Sequence, residues 1–194
     1  MKQSMECSYK TILGMILLGI IAFAIINIQP VYAADDDIAS GVYDEVPWRI
    51  TSEQELLIGE EGKTYSFTDR SSRDEFSYPW YKQPFKTVRF LGKVKGAGDH
   101  SGMFQDSHSL SSIDVSNFDT SNVTSMAFII SSCGSLTSID VSSFDTSNVT
   151  IMSDMFSGNL SLTNLDLSNF DISNVENMES MFEYCLLLKK LDLI

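Results

Sequence analysis

Four aspartates, Asp114, Asp140, Asp166 and Asp192, recur every 26 residues. Stacked in register they would make a column of carboxylates ~5 Å apart, an oxygen-rich arrangement of the kind that holds calcium. The glycine-rich nonapeptide of calcium-binding β-rolls is missing. A solvent-facing row of carboxylates is therefore expected, and no metal ligand is assigned. Cys133 and Cys185 lie 52 residues apart, two whole periods. Equivalent positions two coils apart place Cα atoms ~10 Å from each other, beyond the ~7 Å reach of a disulfide. Both are expected as free, small apolar core residues. Asn122-Val123-Thr124 and Asn148-Val149-Thr150 match the acceptor sequence for an N-linked sugar, but their 26-residue separation marks them as pieces of the repeat. His100 and His108, with no cysteine beside them, are expected as solvated loop residues. No Ser-His-Asp, Cys-His or paired-carboxylate group stands apart from the repeating columns. The expectation is a protein with no catalytic residue and no cofactor.

The element that positions all these groups is a 26-residue repeat. Three full copies run 111–136, 137–162 and 163–188, and a fourth begins at 189. Copies one and two agree at 16 of 26 positions, copies two and three at 13. A unit of this size cannot bury its apolar face alone and must stack on its neighbours, so the chain is expected to be a solenoid. Within each copy Leu110-x-x-Ile113-x-Val115-x-x-Phe118 recurs as Leu136…Phe144 and Leu162…Phe170. The Ile-x-Val alternation predicts a short strand, after which Phe118, Phe144 and Phe170 turn inward. The second half has another rhythm. Val123, Met126, Ile130 and Cys133 are spaced 3, 4 and 3, as are Val175, Met178, Phe182 and Cys185. That spacing predicts a short helix, with the methionine pairs Met152/Met155 and Met178/Met181 as core filler. Asp119-Thr120-Ser121-Asn122 and its repeats before it suit an N-cap or Asx turn. The predicted fold class is an α/β solenoid with one parallel strand and one helix per coil.

Residues 1–33 read as a signal peptide: Lys2 and Lys10, an apolar stretch over 11–28, then Pro30 and Val31-Tyr32-Ala33. Cleavage is expected between Ala33 and Ala34, so the mature chain is not embedded in a membrane. Residues 34–85 are non-repetitive, with strands expected at 46–51, 56–58 and 63–68. They form a β-rich N-terminal cap in which Trp48 and Trp80 cover the open end of the core. Residues 86–110 form a degenerate first coil, because Met103-Phe104 falls 26 residues before Ile129-Ile130. The chain ends in mid-strand at Leu191-Asp192-Leu193-Ile194, which leaves an apolar edge open and predicts a truncated chain. Charge is unevenly spread. The net formal charge is −13, and 96–188 hold 12 acids and no Lys or Arg. A body without cations excludes binding to nucleic-acid phosphates or an anionic lipid surface.

The repeats Ile113–Thr124 and Asn169–Val175, each followed by Met-x-x-Met-Phe or a variant of it, resemble the BspA-like leucine-rich repeat surface proteins of bacteria. That family's repeat is close to LDLSNFDTSNVTNMSxMFxGCxSL, and the resemblance covers about 86–194. The segment around Trp48 and Leu57-Ile58-Gly59 is similar to what precedes the repeats in Gram-positive members. The resemblance implies a secreted or wall-attached protein that binds host or matrix proteins or other cells. The chain departs from the pattern at Ala127-Phe128-Ile129-Ile130 in copy one, and no wall-sorting motif is found in it. The function expected is a non-catalytic adhesion or protein-binding module at the cell surface. The alternative is a remnant or passive spacer of a longer adhesin.

Overall fold

The structure is a computed structural model in which residues 36–71 and 78–192 are described. The expected signal peptide and its cleavage point, Ala33–Ala34, lie outside the described residues. Among the described residues there are ten strands: β1 (Ala39–Tyr43), β2 (Val46–Ile50), β3 (Glu55–Ile58), β4 (Thr64–Ser66), β5 (Thr87–Phe90), β6 (Lys93–Asp99), β7 (Ser112–Asp114), β8 (Phe118–Ser125), β9 (Asn164–Asp166) and β10 (Lys190–Asp192). The chain is a β-solenoid. On one side β3, β5 and β7 pair in parallel, Val88 beside Ile113. The same side continues through the Ser138–Asn164 bridge into β9 and β10, where Leu165 lies beside Leu191. On a second side β4, β6 and β8 pair in parallel and continue as the bridges Ser125–Ile151 and Ile151–Asn177.

The third side replaces the expected helix. Among the described residues there is no helix at all. An α-helix closes each N–H on a carbonyl four residues back. Here the N–H groups of Met126, Phe128, Ile130 and Ser132 instead donate to Ile151, Ser153, Met155 and Ser157 of the next coil, at 2.9, 3.0, 3.1 and 2.7 Å. Met152, Asp154, Phe156 and Gly158 do the same towards Asn177, Glu179, Met181 and Glu183. Between them Ile129 and Ser131 close tight turns on Met126 and Phe128. The backbone achieves this with two left-handed residues per coil. Gly102, Phe128, Asp154 and Ser180 form one column of positive φ, and Asp106, Ser132, Gly158 and Tyr184 the other. A chain that turns this way every four residues returns side chains to the core at the same 3–4–3 spacing as a helix. The periodicity was real, and its structural meaning was different.

Burial follows the columns. Phe118, Phe144 and Phe170 are all buried, as are Val123, Val149, Met126 and Met152. One contiguous core runs from Val46 to Met181. At its N-terminal end the β1–β2 hairpin adds antiparallel strands to the edge of the first sheet. Trp48 and Trp80 pack there edge to face, centroids 6.0 Å apart, and Trp80 stacks on Tyr78 at 5.0 Å. Trp80 Nε1 donates to the Met103 carbonyl at 2.9 Å, which fastens this aromatic group to the first coil. Aromatic pairs of this geometry add roughly 0.5–1.5 kcal/mol beyond their buried area.

Candidate functional site

The repeated polar residues bond within and between the coils. Asp114 and Asp166 face solvent at the ends of β7 and β9, and Asp140 faces it two residues after the Ser138 bridge. Each carboxylate accepts the N–H of the serine two residues on: Ser116 at 3.0 Å, Ser142 at 2.9 Å and Ser168 at 3.0 Å. These are Asx turns, in which a carboxylate side chain satisfies a backbone donor that would otherwise be left at a strand end. The serine hydroxyls and N–H groups hold Asp114 and Asp140 below the usual carboxylate range. Asp119, Asp145 and Asp171 form a second row with the same Asp-x-Ser chemistry toward Ser121, Ser147 and Ser173. The Asx turn expected at 119–122 is present, without a helix behind it. Among the described residues no group of three His, Cys, Asp or Glu side chains is placed to hold a metal ion.

Three further columns carry hydrogen bonds from coil to coil. Thr120 Oγ1 donates to the Asp145 carbonyl at 2.9 Å and accepts the Asp145 N–H at 2.8 Å. Thr146 repeats the pair with Asp171. The sequon asparagine Asn148 donates to the Ser121 carbonyl at 2.8 Å, and Asn174 donates to Ser147 at 2.7 Å. The third column is Cys133, Asn159 and Cys185. Cys133 Sγ donates to the Phe104 carbonyl at 3.3 Å, Asn159 Nδ2 to Ile130 at 2.8 Å and Cys185 Sγ to Phe156 at 3.1 Å. The separation is 29 residues in every case. Both cysteines are free, and they act as donors to the preceding coil rather than as apolar filler alone. Burial raises both thiols, Cys133 to about 12.

Asn159 escaped the sequence reading. It is fully buried, accepts the Cys133 N–H at 3.0 Å and also donates to the Phe156 carbonyl at 2.7 Å. The signal was available, since it stands 26 residues from each cysteine. The reading of His100 as a solvated loop residue is corrected. It is buried, its Nε2 accepts the Ala97 N–H at 2.9 Å and its Nδ1 pairs with the Tyr78 hydroxyl at 2.7 Å. An Nε2 that accepts leaves the proton on Nδ1, so the ring is neutral. Desolvation, with Arg70 nearby, pushes its pKa down to about 4. His108 is exposed, and its Nδ1 pairs with the Ser132 carbonyl at 2.8 Å. Trp48 and Trp80 are buried, so neither presents a face on which a sugar could stack.

What remains free is the outer surface of the coils, which is acidic and varies from copy to copy. A fold in which like residues form ladders defines a repeat protein of the solenoid class. Residues 98–191 match a family described as Mycoplasma protein of unknown function, DUF285. No curated protein matches the sequence. Among solved structures the chain is similar to a leucine rich cell surface protein from Faecalibacterium prausnitzii A2-165. The identity is 19% and the TM-score 0.36, over 80% of this chain and 39% of that one. The chain thus spans well under half the length of that protein. Among the described residues no helix is long and apolar enough to cross a membrane.

Proposed function

We propose that this chain is a non-catalytic binding module of a bacterial surface protein of the BspA-like type. In this reading it is exported by its leader and acts outside the cell, secreted or held at the wall, through contacts with host or matrix proteins or with other cells. The observation that carries the reading is the commitment of the Asp, Thr, Asn and Cys columns to bonds within and between coils. A solenoid whose polar side chains hold its own turns together offers a long surface and no reactive centre. Its 12 acids without a cation over 96–188 favour partners with basic surfaces and disfavour nucleic acid.

The test has two arms. Expressed with its leader in a Gram-positive host, the chain should appear outside the cell with Ala34 as its N-terminus by mass spectrometry. Immobilised, it should show saturable, salt-weakened binding to at least one member of a panel of matrix proteins and bacterial cells. Retention in the cytosol, or no saturable binding across the panel, defeats the reading. Turnover of peptidoglycan by the pure protein would replace it with an enzymatic one.

A further inference from the structure

Two columns carry one bulky apolar member each. The first runs Asp99, Ser125, Ile151, Asn177, and the second Gly102, Phe128, Asp154, Ser180. Ile151 and Phe128 are the bulky apolar members. They sit on adjacent coils and are 37% and 36% exposed. Together with Gly102, which has no side chain, and Ala127, which has only a methyl group, they line one hollow of about 360 Å³. Two large apolar residues exposed side by side make a small apolar patch on adjacent coils.

Phe128 is there against its backbone preference. Its φ is +57°, the left-handed region, which a bulky residue occupies at a cost that Gly102 in the same column avoids. The fold does not need an aromatic ring at this position, because Gly, Asp and Ser serve the same turn in the other coils. The surroundings carry more acid than base, with Arg70 reaching the Ser101 carbonyl at the Asp99 end and, among the described residues, acids alone at the other. Asp99 borders the hollow, and Asp154 follows Ser153, the acceptor of the Phe128 N–H. Asp154 is raised above the ordinary carboxylate range by partial desolvation and by Glu183 and Glu179, so these acids stand close enough to repel one another. A cation brought between them would relieve that repulsion.

Resting on the binding-module reading above, we propose that this hollow is a docking site for a protein segment that inserts one apolar side chain between Phe128 and Ile151. Cationic residues on either side of that side chain face Asp99 at one end and Asp154 and Glu179 at the other. The probe is a short labelled peptide with a central leucine flanked by lysines, titrated against the secreted chain with NMR and fluorescence anisotropy. Saturable binding is expected, with shifts confined to 99–105, 125–128 and 151–154. F128G and I151N, which install residues the same columns already carry, should each weaken it roughly tenfold or more. F128G should leave Tm unchanged or raise it, which separates a contact role from a structural one. D154N/E179Q should weaken binding and flatten its salt dependence. No saturation at millimolar peptide, equal binding of a glutamate-flanked peptide, or a fall in Tm on F128G with binding intact would each overturn the proposal. If F128G and I151N leave binding to a partner from the matrix panel unchanged, the hollow is excluded as the contact surface while the module reading stands.

Discussion

Replacing Asn159 with alanine removes one buried amide and strands two backbone groups, while a third, the Phe156 carbonyl, keeps the Cys185 thiol as its donor. The Cys133 N–H loses its acceptor at 3.0 Å, and the carbonyls of Ile130 and Phe156 lose donors at 2.8 and 2.7 Å. Each buried group left unsatisfied costs about 1–3 kcal/mol, with the carbonyls at the lower end because each has a second lone pair. With the Cys133 N–H and the Ile130 carbonyl left unsatisfied, the sum is about 2–4 kcal/mol. For a chain of this length each kcal/mol moves Tm by about 2–4 °C, so thermal unfolding followed by circular dichroism should show a fall of about 4–16 °C. Asn159→Cys installs the side chain that this column carries at 133 and 185 and keeps a donor towards Ile130, so about half the loss is expected. Asn159→Asp keeps the acceptor for Cys133 but sets a carboxylate against two carbonyls. It should be the least stable at neutral pH and recover relative to the parent chain as the pH falls and the carboxyl is protonated. The reasoning is refuted if N159A lies within about 1 kcal/mol of the parent by urea titration. It is equally refuted if N159D matches the parent at neutral pH.

Three further outcomes are expected. The folded-state pKa of His100, about 4 against an ordinary 6.5, means the folded chain holds its imidazole neutral. Stability should therefore be unaffected by this group above pH 6.5 and fall as the pH drops from there to about 4, by about 3 kcal/mol in all. Urea midpoints across that window should show the slope, and His100→Phe should abolish it. The aspartate rows are held below 3.8, so their contribution is lost only at still lower pH. Removing the ring in Phe144→Ala leaves a cavity between coils and should cost about 3–5 kcal/mol. On treatment with iodoacetamide, half-buried Cys185 should be alkylated well before the buried Cys133, with mass spectrometry as the readout.

The period, the inward Phe118, Phe144 and Phe170, and the strand at Ile113-x-Val115 were legible in the sequence, because identical side chains 26 residues apart can only be explained by stacking. The strands expected at 46–51, 56–58 and 63–68 correspond to β2, β3 and β4. The helix was not legible as absent. A 3–4–3 apolar spacing records how often the chain returns to the core and says nothing about which carbonyl each N–H meets. The backbone signal was weak, since the left-handed columns hold a glycine only at Gly102 and Gly158 and elsewhere place Phe, Asp, Ser or Tyr. His100 was missed for a different reason. The first coil matches the repeat poorly, so no column predicted that its loop folds under Tyr78 and the aromatic group. Asn159 was hidden by chemistry rather than by position. An amide and a thiol look unrelated in sequence, yet each can donate to the same carbonyl of the coil before.

The central claim is that successive coils are joined backbone to backbone along the segment that carries the helical spacing. Through-hydrogen-bond scalar couplings in a labelled sample test it residue by residue. The account predicts couplings from the amide nitrogens of Phe128 and Ile130 to the carbonyl carbons of Ser153 and Met155. A coupling from Ile130 to Met126, four residues back in its own coil, would contradict it.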